Sequence, residues 1–214
     1  MTVHRTLLIA LAILSVLVRP AATAKAPDAD GFLQRWMILE PIQVPGQLTD
    51  GAVQTLVKRE HFPNQFTVLP RDGDAVKAGD AALAWHMVDT AGYNVNLYHF
   101  AYGLKKPTSN VLFWIVTVVD SPREMSGVRL AIGSNAASVW WVNGAEVIGI
   151  YNDRQAVIDD GVSKRLMLKQ GANVIRAAIV NAGGATDFCA RFLDESDRPI
   201  RTLTATLTAK EEIR

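Results

Sequence analysis

The sequence has a single cysteine, Cys189, in 214 residues. It can therefore close no internal disulfide and build no thiolate metal cluster. It has no surplus of either charge, since 22 Lys and Arg stand against 21 Asp and Glu. A nucleic-acid-binding surface needs a clear basic excess, so that class of partner is excluded. The four histidines show neither His-x-His nor His-x-x-x-His spacing and the acidic residues show no EF-hand spacing, so no zinc or calcium pattern emerges. No metal and no other cofactor is implied. Beyond the N-terminal segment no apolar run approaches the ~20 residues that span a bilayer, and there is no internal repeat.

At the N-terminus, His4 and Arg5 precede an uncharged run from Thr6 to Val18, and Ala22-Thr23-Ala24 follows. A short basic start, a short apolar run and a small-residue site form the layout of a secretory signal peptide cut after Ala24. The run of 13 residues is too short for a spanning helix. Residues 1–24 are thus read as a signal peptide, 25–31 as a leader, 32–200 as one domain and 201–214 as a C-terminal strand or tail. The mature protein is expected to be secreted or periplasmic and without a membrane segment. With Arg5 and Arg19 removed, 20 basic residues face 21 acidic ones. The 190 residues left of 214 after cleavage at 24 are enough for one domain with a substantial core.

What the chain has in abundance is short extended segments between turn signals. Residues 36–39 run into Pro41, which halts a central strand. Extended segments follow at 83–88, 93–100, 128–132, 138–142, 146–151, 164–168, 174–180 and 188–193, several with two-residue alternation. Residues 111–119 are apolar throughout, the mark of a central strand covered on both faces. Asn143-Gly144 between two extended runs is a hairpin signal, because both residues accept the positive φ of a type I′ turn. Asp50 followed by Val53, Leu56 and Val57 predicts one short helix. Together these predict an all-β fold, an antiparallel jelly-roll β-sandwich with one short helix.

Three stretches carry a resemblance: 110–121 (NVLFWIVTVVDS), 128–147 (VRLAIGSNAASVWWVNGAEV) and 166–192 (LMLKQGANVIRAAIVNAGGATDFCARF). Their order and their Trp-x-Asn-Gly and Leu-Lys-x-Gly-x-Asn turns resemble the galactose-binding-like jelly-roll modules attached to bacterial glycoside hydrolases and carbohydrate esterases. The likeness covers 110–193 well and 32–101 loosely. It implies a non-catalytic carbohydrate-binding accessory module, with a polysaccharide or oligosaccharide as ligand and a glycan-degrading enzyme as partner. In the related protective-antigen-like sugar modules an Asp-Asp pair after the same turn carries calcium and ligand. This chain has Asn135-Ala136 there, which speaks against calcium-assisted capture at that position.

The chain as a whole is also similar to secreted bacterial proteins labelled acetylxylan esterase, which implies a carbohydrate esterase. Its residues supply neither usual serine motif. The nearest approach to Gly-x-Ser-x-Gly is Gly161-Val162-Ser163-Lys164-Arg165, with Arg where the second Gly lets the helix pack. Gly73-Asp74 and Gly79-Asp80 are each followed by Ala where an SGNH esterase has Ser. An esterase would need an untypical site, with Ser163 or Ser134 meeting His86 or His99 in space. A third reading is a structural or protein-interaction sandwich without sugar binding.

No catalytic residue is assigned. The candidate ligand-binding residues are Trp140, Trp141, Tyr151, Asn152, Asp153, Arg154, Asp159 and Asp160. Neighbours in a strand, Trp140 and Trp141 point to opposite faces. One ring enters the core, and the other either stacks on a sugar or is covered by a loop. Residues 150–160 combine an aromatic ring, a guanidinium and carboxylates in a loop, the donors and acceptors that sugar hydroxyls require. The same residues also suit a charged turn with solvent-facing salt bridges. Cys189, alternating with Phe188 and Ala190, is expected to be a half-covered, unreactive thiol. His99, on the more apolar face of segment 93–102, is expected to be a hydrogen-bonded core residue.

Overall fold

A computed structural model describes residues 24–46, 49–152 and 154–207. The predicted signal peptide apart from Ala24, Asp153, and the tail after Leu207 lie outside the described residues. In chain order these form β1 (Arg35–Leu39), β2 (Ile42–Gln43), α1 (Asp50–Lys58), β3 (Ala75–Ala78), β4 (Ala81–Asp89), β5 (Val95–Asn96), α2 (Leu97–Gly103) and β6 (Val111–Ser121). There follow β7 (Met125–Ser134), β8 (Ala137–Val142), β9 (Ala145–Ile150), β10 (Gly161–Val162), β11 (Leu166–Leu168), β12 (Gly171–Asn181), β13 (Asp187–Leu193) and β14 (Thr204–Ala205).

Two antiparallel sheets make an all-β sandwich. The larger runs β3-β4-β1-β6-β12-β8-β9, and the smaller runs β10-β7-β13-β5 with β11 also on β7. The all-apolar stretch forms the centre of the larger sheet, as its composition predicts: β12 pairs with β6 from Gly171↔Ser121 to Asn181↔Val111, while β1, β2 and β14 share its other edge. Period-2 alternation then divides the side chains of β6 between two apolar layers. Phe113, Ile115 and Val119 enter the core between the sheets with Trp36, Trp140, Leu130, Phe188 and Phe192. Leu112, Trp114 and Val116 face outward into a second layer with Trp85 and Trp141.

That outer layer needs a cover, and α1 supplies part of it. Thr49 caps the helix by accepting from the Ala52 N–H, and Val53, Leu56 and Val57, spaced on one face, are buried against the sheet. Phe62 completes the cover, edge-on to both Trp85 and Trp114.

One segment differs from its prediction. Residues 93–100 do not form a strand; β5 is two residues long and the chain turns into α2, a second helix. The side chain of Asn96 accepts the His99 N–H at 2.7 Å and caps the new helix. Leu97 and Ala101, four apart, become its buried face. The alternation of aromatics mimicked a strand, but the local cap decided the outcome. His99 consequently lies exposed on α2 and not in the core.

Candidate functional site

The two tryptophans of β8 take opposite faces. Trp140 is fully buried between the sheets, edge-on to Trp36 and Phe188, and its Nε1 donates to Ser138 Oγ at 3.1 Å. Trp141 lies in the outer layer, nearly parallel to Trp114 at 5.6 Å between ring centroids, with Phe66 edge-on at 5.9 Å. It is 7% exposed. Loop and helix cover it, so neither ring offers solvent a stacking face.

The motif asparagine Asn143 is a clasp. It adopts φ 51° and Gly144 adopts φ 85°, the left-handed pair of a type I′ hairpin. Its amide then joins the next hairpin: Nδ2 donates to Asn173 Oδ1 at 2.9 Å and Oδ1 accepts from the Val174 N–H. Asn173, wholly buried, donates in turn to the Lys169 and Gly171 carbonyls. The two Asn residues of the resemblance thus tie two turns together.

The 150–160 loop crosses the rim of the sandwich and divides its candidate residues between the two sides. Tyr151 stays with the outer layer of the larger sheet, its ring lying across β9 at Gly149, where a Cβ would stand 2.6 Å from the Tyr151 hydroxyl oxygen. That hydroxyl donates to Glu146 Oε1 at 3.2 Å and accepts from Gln54 of α1. Asn152 is exposed. Beyond it, Arg154 pairs with Asp160, and Asp159 meets Arg191 of β13, across the smaller sheet. Arg191 is itself stacked over the Phe32 ring. The Val157 carbonyl presses onto β7 at Gly133, 2.5 Å from where a Cβ would be. Asp159, at φ 58°, turns the chain back. The loop carboxylates Asp159 and Asp160 are therefore engaged by arginines.

A small cleft opens on Tyr151's side, lined by Tyr151, Asp50, Val53, Ala137, Asn181 and Pro45. Its volume is about 60 Å³, room for roughly two water molecules at ~30 Å³ each. Its lining thus joins one aromatic residue, Tyr151, and one carboxylate residue, Asp50, to apolar neighbours. Sequence reading missed Asp50, Gln54, Glu146 and Asn181, since a helix start and two strand ends bring them to Tyr151 only in three dimensions.

The groups that a hydrolase would use are committed elsewhere. Ser163 Oγ donates to the Lys164 carbonyl and accepts the Leu130 N–H, and Ser134 Oγ donates to the Ala136 carbonyl. His86 faces Glu40 at 3.4 Å and stands edge-on to Phe100. Half-buried His61 has its pKa lowered by desolvation, and its Nε2 lies 2.9 Å from the Leu56 carbonyl. Burial pushes the Cys189 thiol up to about 11, which keeps it protonated near neutral pH. No group of three or more His, Cys, Asp and Glu is placed to hold a metal among the described residues, and no helix among them is long and apolar enough to cross a membrane.

No protein-family profile and no curated protein matches the chain. Solved structures to which it is similar include the PA14 domain of an antifreeze protein, at 11% identity and TM-score 0.46, covering 92% of this chain and 98% of that one. The PA14 sugar-binding domain from an RTX adhesin matches at 12% identity and TM-score 0.45, over 83% and 98% of the two chains. A β-glucosidase from Kluyveromyces marxianus matches at 12% identity and TM-score 0.45 over 81% of this chain, which spans 19% of that enzyme's length.

Proposed function

We propose that this is a secreted, non-catalytic carbohydrate-binding accessory module that takes one edge of a polysaccharide or oligosaccharide at the Tyr151 cleft and acts beside a glycan-degrading enzyme. The carrying observation is the cleft itself, lined both by Asp50 and by Tyr151, whose ring is fixed by Gly149, Glu146 and Gln54. An amphipathic ring next to acceptors is what a sugar's apolar face and hydroxyls select. The volume admits one or two hydroxyls and not a whole pyranose, so the ligand would lie across the mouth. The signal-peptide layout of residues 1–24 supports secretion, and the Trp-x-Asn-Gly resemblance supports the company of a glycan-degrading enzyme. The test is a titration with a panel of plant and bacterial polysaccharides, read by calorimetry, with acetate release assayed in the same samples. Saturable binding that Tyr151→Ala weakens at least tenfold, without acetate, upholds the reading. Acetate release that follows the protein through purification would overturn it in favour of an esterase.

A further inference from the structure

Arg176 is a lone charge in the middle of the apolar strand β12. It faces the outer layer, directly opposite Trp141 on β8 and Val116 on β6, and is 4% exposed. Its Nη1 donates to the Val68 carbonyl in the segment that follows α1. That leaves the Nε–Nη2 edge, the edge that grips a carboxylate through two parallel hydrogen bonds, with no partner among the described residues. Two other enclosed arginines are supplied differently: Arg35 forks onto Asp89 and Arg191 onto Asp159. Desolvation pulls the Arg176 pKa down only to about 10, so the group stays cationic at neutral pH. One neutral carbonyl does not offset the desolvation of a full charge.

The surroundings are short of acceptors. The Nε1 atoms of Trp85 and Trp114, in the same layer, are buried without one. Phe66, 37% exposed, stands edge-on over Trp114 and Trp141 and forms the outermost part of the cover.

We propose that Arg176 is the receptor of a second ligand site, for an oxyanion carried on a ring with an apolar face: the carboxylate of an acidic sugar, seated on the Nε–Nη2 edge, with the C–H face of the sugar ring taking the place of Phe66 against Trp141. The carrier rests on the carbohydrate-binding reading; the oxyanion does not. The site lies four residues along β12 from Val180 of the Tyr151 cleft, roughly 13 Å at ~3.3 Å per residue, so one oligosaccharide can reach both.

The experiment compares the protein with Arg176→Met and Arg176→Lys, following tryptophan fluorescence and melting temperature against galacturonate oligomers, neutral galactose oligomers, and sodium sulfate at matched ionic strength. Acidic oligomers should bind the unaltered protein at least tenfold more tightly than neutral ones. Arg176→Met should abolish that preference while leaving neutral binding intact, and Arg176→Lys, charged but unable to fork, should keep only part of it. Sulfate acting alone, in an Arg176-dependent way, would uphold the oxyanion receptor and overturn the acidic sugar as its occupant. Identical anion responses in the unaltered protein and a folded Arg176 variant would overturn the site. Neutral glycans that fail to bind while acidic ones succeed would instead count against the Tyr151 cleft alone.

Discussion

Between the sheets, Trp140 lies edge-on to Trp36 and Phe188 and gives its indole N–H to Ser138. On the other face of the same sheet, Trp141 lies flat against Trp114, whose own indole N–H has no acceptor, and Arg176 stands beside it with one carbonyl. Both layers are apolar and aromatic, so composition does not separate them. What separates them is how their indoles are satisfied. Between the sheets Trp36 donates to the Leu33 carbonyl and Trp140 to Ser138, leaving only the Thr117 hydroxyl on that face of β6 without a partner, whereas the outer indoles of Trp85 and Trp114 have no acceptor among the described residues. Buried polar groups without partners are costly enough to need a reason. The inter-sheet layer is closed by a second sheet. The outer one is closed by a single helix and an irregular segment, and both proposed ligand positions lie there.

That contrast can be broken by substitution. The largest effect belongs to Trp140→Ala, which should cost about 3–5 kcal/mol, read as a shifted denaturant midpoint, because two rigid sheets cannot collapse into the space. Trp141→Ala should cost less, about 3 kcal/mol at the low end of that range, if the 59–70 cover settles into the space; an equal or greater loss would show both layers to be packed alike. Gly133→Ala sharpens the picture on the smaller sheet. Its Cβ would meet the Val157 carbonyl at 2.5 Å, so the loop must lift at about 1–3 kcal/mol, with faster hydrogen exchange confined to residues 154–160. Replacing Asp159 with Asn should have the smallest effect on folding, about 1 kcal/mol for a partly exposed pair with Arg191.

Acid should act at the strands around β1. Asp89 is held below the usual carboxylate range by its hydrogen bonds from Arg35. Burial by itself raises Glu40, but Lys106, the Ala84 N–H and His86 outweigh it and leave it lowered too. Groups lowered on folding add stability that is complete above the ordinary carboxylate pKa of ~4 and lost as pH falls through their folded values. Stability should therefore decline slightly as pH falls through ~6.5, where desolvation keeps His61 neutral in the fold while the unfolded chain takes up a proton, and more steeply below ~4, with a shallower acid limb in Asp89→Asn despite its lower starting point.

How much of this was legible beforehand differs between fold and site. The run 111–119, apolar at every position but Thr117, announced a strand covered on both sides, and Asn143-Gly144 announced its hairpin, because each signal is local and has one physical meaning. Segment 93–102 misled, since alternating aromatics suit a strand until one recognises Asn96 as a helix cap. The adjacent tryptophans were correctly assigned to opposite faces. Whether a helix would cover the outward one is a tertiary fact with no local signal. Likewise the 150–160 loop is continuous in sequence and yet straddles a rim, which parts Tyr151 from Asp159. Arg176 did leave a trace, a single charge inside Val-Ile-Arg-Ala-Ala-Ile-Val, the kind of interruption that a buried strand tolerates only for a purpose.

The indole N–H resonances of the protein give the most direct test of the claim that ligands meet the outer layer and not the inter-sheet core. On titration with an oligosaccharide that binds, the signals of Trp141 and Trp114 should shift, together with backbone amides near Tyr151, while those of Trp140 and Trp36 stay in place. Shifts confined to the smaller sheet around Arg191 and Asp159, with Trp114, Trp141 and Tyr151 unmoved, would contradict it.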